Sequence, residues 1–293
     1  MNNHIKKLRI AVFPVGGLGT RFLPATKSLP KEMLPVASKP LIQHVFEEAK
    51  AAGIEEFIFI TGRNKNAISN HFDNSYELET ILNEKDKQEQ LALAKSWLPS
   101  AGHIAFVRQQ NPLGLGHAVW CARNFIKNEP FAVLLADEML LTPGGFLKQM
   151  NELYQKVGGN IVAVADVEKH QTSNYGIIAA ESDDNNIIKI KNMVEKPLPK
   201  DAPSNISMTG RYILQPEIFD YLSESRVGVN GEIQLTDAMQ KMLLTNDFHG
   251  LRCTDRRFDC GNELGFLEAN IAYSLENNNN KKQIIEMLKF YTG

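Results

Sequence analysis

The sequence predicts an α/β protein built on a doubly wound sheet, and three observations carry that expectation. Four short apolar runs, Ile10 to Val15, Phe57 to Thr61, Ile104 to Val107 and Phe131 to Ala136, have the length and continuity of strands buried on both faces. Segments of helical period separate some of them: Pro40 to Ala52, stopped by Gly53, and Gly116 to Ile126. The first strand breaks at once into Gly16-Gly17-Leu18-Gly19-Thr20-Arg21, a strand exit almost bare of side chains, where a ligand can approach the backbone.

The remaining elements follow in order. Asn74 to Trp97 is long, charged and helical in period, and reads as an insertion outside the sheet. The second half changes texture. Ile161 to Val167, Gly176 to Ala180, Ile187 to Val194 and Ser207 to Leu214 are β-like, with Asp183-Asp184-Asn185-Asn186 as a turn. Helices return at Pro216 to Ser223, Glu232 to Leu244 and Asn262 to Glu276. Four asparagines, Asn277 to Asn280, read as a solvated hinge before a last amphipathic helix from Lys281 to Phe290.

Bulk composition removes several classes of function. The 32 basic and 34 acidic residues balance to a charge of -2, so a general nucleic-acid binder is not expected, and any positive patch must be local. Three cysteines, Cys121, Cys253 and Cys260, lack C-x-x-C spacing and suit a reducing compartment. No apolar run is long enough for a membrane span, and no signal peptide follows the first lysines. A cytoplasmic protein is the expectation.

The glycine loop suits phosphates. Thr20, Arg21, Lys27 and Lys31 place donors and fixed positive charge beside it, as a nucleoside triphosphate requires. Two commoner phosphate loops are excluded. A dinucleotide G-x-G-x-x-G from Gly17 would need glycine where Phe22 stands, and the P-loop pattern is absent.

Other candidates lie downstream. Asp137 follows a predicted strand, where an acid can hold magnesium together with substrate phosphates, or equally cap a helix or form an acidic turn. Asp259 ends another β-like segment before Gly261 and is a candidate partner on the same ion, although D-x-G is also a common turn. Glu195 and Lys196, in MVEKP, would point to opposite faces of an extended segment. One suits a sugar hydroxyl and the other a phosphate if the backbone bends; otherwise they are a solvated pair. Gln109 can pair with a base edge, and Gly114 and Gly116 let a base approach the backbone. His117, one step into a helix, reads as structural rather than as a general base. Glu232 opens a predicted helix, where the dipole alone accounts for it, and Thr236 and Asp237 read as helix surface.

Taken in this order, the blocks GLGTRFLPATKSLPKEMLP, KPLIQHVFEEA, TGRNKNAISNHFD, GLGHAV, VEKP, GRYIL, GEIQLTDA and FDCGN resemble the bacterial UTP–glucose-1-phosphate uridylyltransferases. These belong to the sugar-nucleotide nucleotidyltransferase family, and the resemblance runs from about Leu8 to Tyr273. It implies a Rossmann-like mixed sheet flanked by helices, with one nucleotidyltransferase domain over 1–276. Within it, a nucleotide-binding half would span about 8–158 and a sugar-binding half about 159–276, with 277–293 as hinge and terminal helix.

The resemblance also implies roles. Gly16, Gly17, Leu18, Gly19, Thr20 and Arg21 would hold the triphosphate with help from Lys31, and Gln109 and Gly114 would read uracil. Asp137 and Asp259 would carry Mg²⁺. Glu195, Glu232 and the Gly176 backbone would hold the sugar, and Lys196 its phosphate. UTP and glucose 1-phosphate are the implied substrates, and a homodimer or homotetramer the implied assembly. A relative that uses dTTP or another sugar 1-phosphate, and a non-catalytic regulatory paralogue, are the alternatives. The chain departs from the family pattern at Gly16, where alanine is usual, at Glu138, in a variable position, and at Glu263, where lysine is common.

Overall fold

The structure is a computed structural model that describes residues 5–224, 231–276 and 280–292. Its central sheet has nine strands. Four of them come from the first half: β1 (Ile10–Val15), then, after a two-residue ladder of β2 (Pro35–Val36) and β3 (Lys39–Pro40) and helix α1 (Leu41–Ala51), β4 (Glu56–Thr61). Helices α2 (Asn66–His71), α3 (Tyr76–Glu84) and α4 (Gln88–Lys95) lead to β5 (Ile104–Arg108). Helices α5 (Leu115–Cys121) and α6 (Arg123–Ile126) lead to β6 (Phe131–Leu134).

Next come β7 (Glu138–Leu141), α7 (Phe146–Val157), β8 (Asn160–Asp166), β9 (Gly176–Asp184), β10 (Ile187–Glu195) and β11 (Ile206–Leu214). The chain ends with α8 (Ile218–Ser223), α9 (Leu235–Met242), β12 (Phe248–Arg252), β13 (Arg256–Asp259), α10 (Glu263–Glu276) and α11 (Lys281–Thr292).

The strand order is β5-β4-β1-β6-β11-β8-β12-β10-β9. The first four run parallel, whereas β11 is antiparallel to both β6 and β8, and β10 is antiparallel to β12 and β9. β1 explains itself: Ile10 and Val12 bury into one apolar cluster, and Ala11, Phe13 and Val15 into another on the opposite face. A strand covered on both faces must be apolar throughout, which is why the sequence shows a run rather than alternation. The helices α1, α7 and α10 contribute to the cluster around Phe13, and α5, α8 and α9 to the cluster around Val12.

The strands expected from the sequence appear within a few residues of their spans, β7 and β12 are not among those expected, and three boundaries differ. β6 stops at Leu134, one pair before Leu135 N donates to Gly210 O at 2.9 Å; Gly210, at φ +68°, lies in the bulge of β11 against β8. The stretch Asn74 to Trp97 is two helices, broken around Asp86 at φ +51°, and neither buries a residue. The helix expected from Glu232 begins only at Leu235. The backbone of Ile233 is engaged by the Leu113–Gly116 loop, donating to Leu113 O at 2.7 Å and accepting from Gly116 N at 2.8 Å. The helix-dipole explanation of Glu232 therefore fails. Asn230 and the hinge residues Asn277 to Asn279 lie outside the described residues.

Candidate active site

From β1 the chain proceeds outward through β4 and β5 and then returns to place β6 on the other side of β1. That reversal opens a crevice between the carboxyl ends of β1 and β6, the usual ligand position in such sheets. The glycine loop leaves β1 there, and Asp137 follows β6 there.

Lys31 runs beneath the glycine loop. A Cβ on Gly17 would lie 3.7 Å from Lys31 Cε, and one on Gly19, at φ +69°, 3.1 Å from Lys31 Cβ. The loop is pinned by Thr26 Oγ1, which donates to Gly19 O at 2.7 Å. Lys31 Nζ then donates to Asp137 Oδ2 at 2.5 Å. Burial opposes both charges, but each favours the other, so the Asp137 carboxyl stays below its ordinary range and the Lys31 ammonium above its own. Next to Lys31, Glu32 is buried and ion-paired with Lys65 at 2.7 Å, tying this loop to the connection after β4. Burial pushes the Glu32 carboxyl up despite Lys65.

Asp259 is brought to Asp137 by backbone pairing. β13 lies antiparallel to β7 with Asp259 opposite Glu138, and Cys260 N donates to Asp137 O at 2.8 Å. Gly261 closes the arrangement. Its N–H donates to Asp259 Oδ1 at 2.9 Å, and its carbonyl accepts from Arg21 Nη1 at 3.4 Å. A Cβ there would stand 2.8 Å from Asp259 Oδ1, 3.3 Å from Asp137 Oδ2 and 3.3 Å from Arg21 Nη1. Two carboxylates and a guanidinium thus converge on a space that exists because residue 261 is glycine. Hard carboxylate oxygens are the donors a divalent cation takes, and its remaining ligands would come from phosphate and water.

Gln109 follows β5, its side chain donating to Gly114 O at 3.0 Å with its oxygen beside Gly16. Gly114, at φ +98°, admits Glu232: a Cβ on Gly114 would stand 2.7 Å from Glu232 Cβ. Gln234 Nε2 donates to Glu232 Oε2 at 3.2 Å, and Thr236 Oγ1 donates to Glu195 Oε2 at 2.6 Å. The 232–236 segment thus joins the Gln109 loop to the end of β10. Thr236 is buried there, not helix surface, because it faces Glu195.

Gly176 pairs with Glu195 across β9 and β10, and a Cβ on it would reach within 3.1 Å of both Glu195 Oε2 and Thr236 Oγ1. Lys196 does not continue the strand to the opposite face. It turns to φ +46°, its N–H donates to Tyr175 O at 3.0 Å, and its Nζ lies 3.3 Å from Glu195 Oε1. The bend puts Glu195 and Lys196 on the same side.

A further pair was not visible in the sequence. Arg257 grips Glu138 with two bonds, 2.8 and 3.1 Å, and its guanidinium carbon stands 4.5 Å from the centre of the Tyr175 ring. This pair connects the Asp259 strand to the Gly176–Lys196 region. Burial raises the Glu138 carboxyl, opposed by Arg257, while Glu138 holds the Arg257 guanidinium charged. No local pattern signals such a pair, since its members lie on different strands far apart in the chain.

The structure therefore brings Arg21, Lys31, Asp137 and Asp259 into one cluster, Gln109, Gly114 and Glu232 into a second, and Gly176, Glu195 and Lys196 into a third. Leu18 and Thr20 are exposed on the loop, and Lys27 is exposed on a separate helical turn. Glu263 is the exposed first residue of α10, where an acid suits the helix dipole. Asn262 caps that helix, its Oδ1 accepting from Gly265 N at 2.9 Å.

Known proteins share this arrangement of sequence. Residues 10–275 match the family model described as Nucleotidyl transferase. The UTP–glucose-1-phosphate uridylyltransferase of Bacillus subtilis (strain 168) is 46% identical, the match covering 97% of each chain. That of Komagataeibacter xylinus is 46% identical over 89% of this chain and 92% of its own. Among solved structures, a UTP-bound UGPase from Acinetobacter baumannii superposes with a TM-score of 0.89 at 39% identity, covering 96% of this chain and 98% of that one. A UDP-glucose pyrophosphorylase complexed with UDP-glucose gives 0.82 at 42% identity, covering 92% and 99%. The chain belongs to the nucleotidyl transferase family, in its UTP–glucose-1-phosphate uridylyltransferase branch.

Proposed function

We propose that this chain transfers the uridylyl group of UTP to α-D-glucose 1-phosphate, releasing pyrophosphate and UDP-glucose. The observation that carries the reading is the convergence of Arg21, Asp137 and Asp259 around Gly261, with Lys31 against Asp137. Two polyanions must meet in this reaction, so mutual repulsion is the main obstacle, and the site gathers the charges that lower it.

Arg21 and Lys31, with the glycine loop Gly16–Thr20, hold the triphosphate. Gln109 and Gly114 receive the uracil. Glu195, Glu232 and the Gly176 backbone orient the sugar, and Lys196 draws in its phosphate. The phosphate oxygen attacks the α-phosphorus in line with departing pyrophosphate, and no covalent protein intermediate is needed. Asp137 and Asp259 would hold Mg²⁺, which when bound supplies neutralising charge for the phosphates. On this reading residues 1–276 form one catalytic domain, with nucleotide-binding and sugar-binding halves meeting near 158.

The enzyme works in the cytoplasm and assembles as a homodimer or homotetramer; light scattering with size exclusion measures the assembly. No described helix is long and apolar enough to cross a membrane. The activity test is pyrophosphate release by purified protein with UTP, glucose 1-phosphate and Mg²⁺, repeated with dTTP and with galactose 1-phosphate. Release fastest with the first combination supports the reading. Faster release with dTTP moves the protein to another substrate, and silence with every combination despite UTP binding leaves a non-catalytic subunit.

A further inference from the structure

His117 lies in the first turn of α5 beside Gln109 and has no task in the phosphate chemistry. Its contacts nonetheless decide which atom Gln109 can offer. An amide nitrogen has two hydrogens to give and no lone pair to share. Gln109 Nε2 donates one to Gly114 O at 3.0 Å and reaches His117 Nδ1 at 3.1 Å. Nδ1 must then accept, which puts the imidazole proton on Nε2. Both hydrogens of the amide are thereby used inside the protein, and Oε1 remains. That oxygen faces the glycine loop, within 2.9 Å of where a Cβ on Gly16 would stand.

The ring itself is held in place. His117 stacks on Trp120 at 5.8 Å between centroids and 24° between planes. The Arg123 guanidinium lies over the Trp120 ring at 3.4 Å. Burial, aided by the Arg123 charge, keeps the His117 imidazole below its ordinary range and so favours the neutral, accepting form.

We propose that His117 is a positioning residue that locks the Gln109 amide with its oxygen toward the base. The site thereby favours a pyrimidine that donates at N3, such as uracil, over one that accepts there, such as cytosine. The proposal rests on the reading that Gln109 faces the base of the nucleotide. Thymine has the same N3–H, so His117 gives no discrimination against dTTP.

The experiment compares wild type, His117→Phe and His117→Asn in steady-state assays with UTP and with CTP, alongside UTP and CTP binding by calorimetry. Phenylalanine keeps the stack on Trp120 but cannot accept, whereas the Asn oxygen can take the place of Nδ1. For His117→Phe, KM for UTP should rise about tenfold with kcat within about threefold, and preference for UTP over CTP should fall about tenfold, as loss of one ordered hydrogen bond implies. His117→Asn should restore most of both. A His117→Phe enzyme with wild-type KM and preference overturns the proposal. So does one whose kcat alone falls, or a His117→Asn enzyme no better than the phenylalanine variant.

A second measurement needs no variant: ¹⁵N shifts of wild-type His117 should show an unprotonated Nδ1, and a protonated Nδ1 overturns the assignment. The underlying reading fails separately, since wild-type protein that binds UTP no better than CTP removes uracil recognition itself. Wild-type discrimination that survives His117→Phe removes only the role of His117.

Discussion

In the parallel half of the sheet, β5-β4-β1-β6, the proposed site residues sit on the loops that leave strand ends: Arg21 and Lys31 after β1, Gln109 after β5, Asp137 after β6. In the antiparallel half, two placements depend on bent strands, while Glu232 comes from a loop. Gly210 bulges β11 to make room for Glu138, and Lys196 leaves β10 through a left-handed turn. Loops at strand ends carry little of the core, whereas a bulge inside a sheet is part of it. On the proposed function, the difference implies that function and stability separate in the first half and are coupled in the second.

The largest expected effect tests that coupling. Arg211, in the bulged strand, is fully buried, paired with Glu48 at 2.9 Å, and donates to Leu135 O and Gly210 O. Arg211→Met leaves Glu48 buried without its partner and should reduce unfolding free energy in urea by about 3–5 kcal/mol. A loss under about 1 kcal/mol would break the comparison on this side.

Arg21→Ala probes the other half. It should slow turnover by about a hundredfold, as loss of a charge clamp does, with stability unchanged within about 0.5 kcal/mol. A variant that loses stability along with activity would show that the loops bear the core after all.

Gly210→Ala sharpens the contrast at smaller cost. A Cβ at φ +68° would stand 2.8 Å from Glu138 Cγ, so about 1–3 kcal/mol of stability should go, together with activity, because Glu138 adjoins Asp137. Stability lost with turnover intact would uncouple the bulge from the site.

The smallest effect concerns acid. Burial lowers the His44 and His71 pKa values on α1 and α2. The unfolded chain then binds protons more readily than the folded one. Their contribution is complete above about 6.5 and shrinks as pH falls from there toward the depressed folded values. Unfolding free energies from urea titrations should fall between pH 7.5 and 5.5, by about 1 kcal/mol or less, and His71→Phe should flatten the slope. A flat wild-type profile would remove these histidines from the stability of the parallel half.

The same contrast governs how much could be read from the chain. β1, β4 and β6 were legible because strands covered on both faces must be apolar runs, and Asp137 because it follows one of them. β5 is also a strand, but as the sheet edge it is only partly buried, with Phe106 exposed, so its apolar run overstated its cover. Glu232 was placed on the wrong kind of backbone, since its segment is held by Ile233 bonding to a loop more than a hundred residues away. The bend at Lys196 required φ +46°, which its side chain does not announce. Buried or partly buried pairs such as Arg257–Glu138, Arg211–Glu48 and Lys65–Glu32 join residues whose separation carries no pattern. The Glu195–Thr236 bond shares that property.

The β9–β10 hairpin turns through Asn185 and Asn186, both at positive φ, as a two-residue hairpin of matching twist requires. Its consequence is temporal. A hairpin closes in about 1–10 μs, using only local contacts, whereas Ile10 must find Phe131 across more than a third of the chain. The pairing of Gly176 with Glu195 belongs to the fast hairpin, while Lys31 meets Asp137 only once the slow crossing is made. Loop closure predicts that the Gly176–Glu195 end of the crevice forms before the Lys31–Asp137 end.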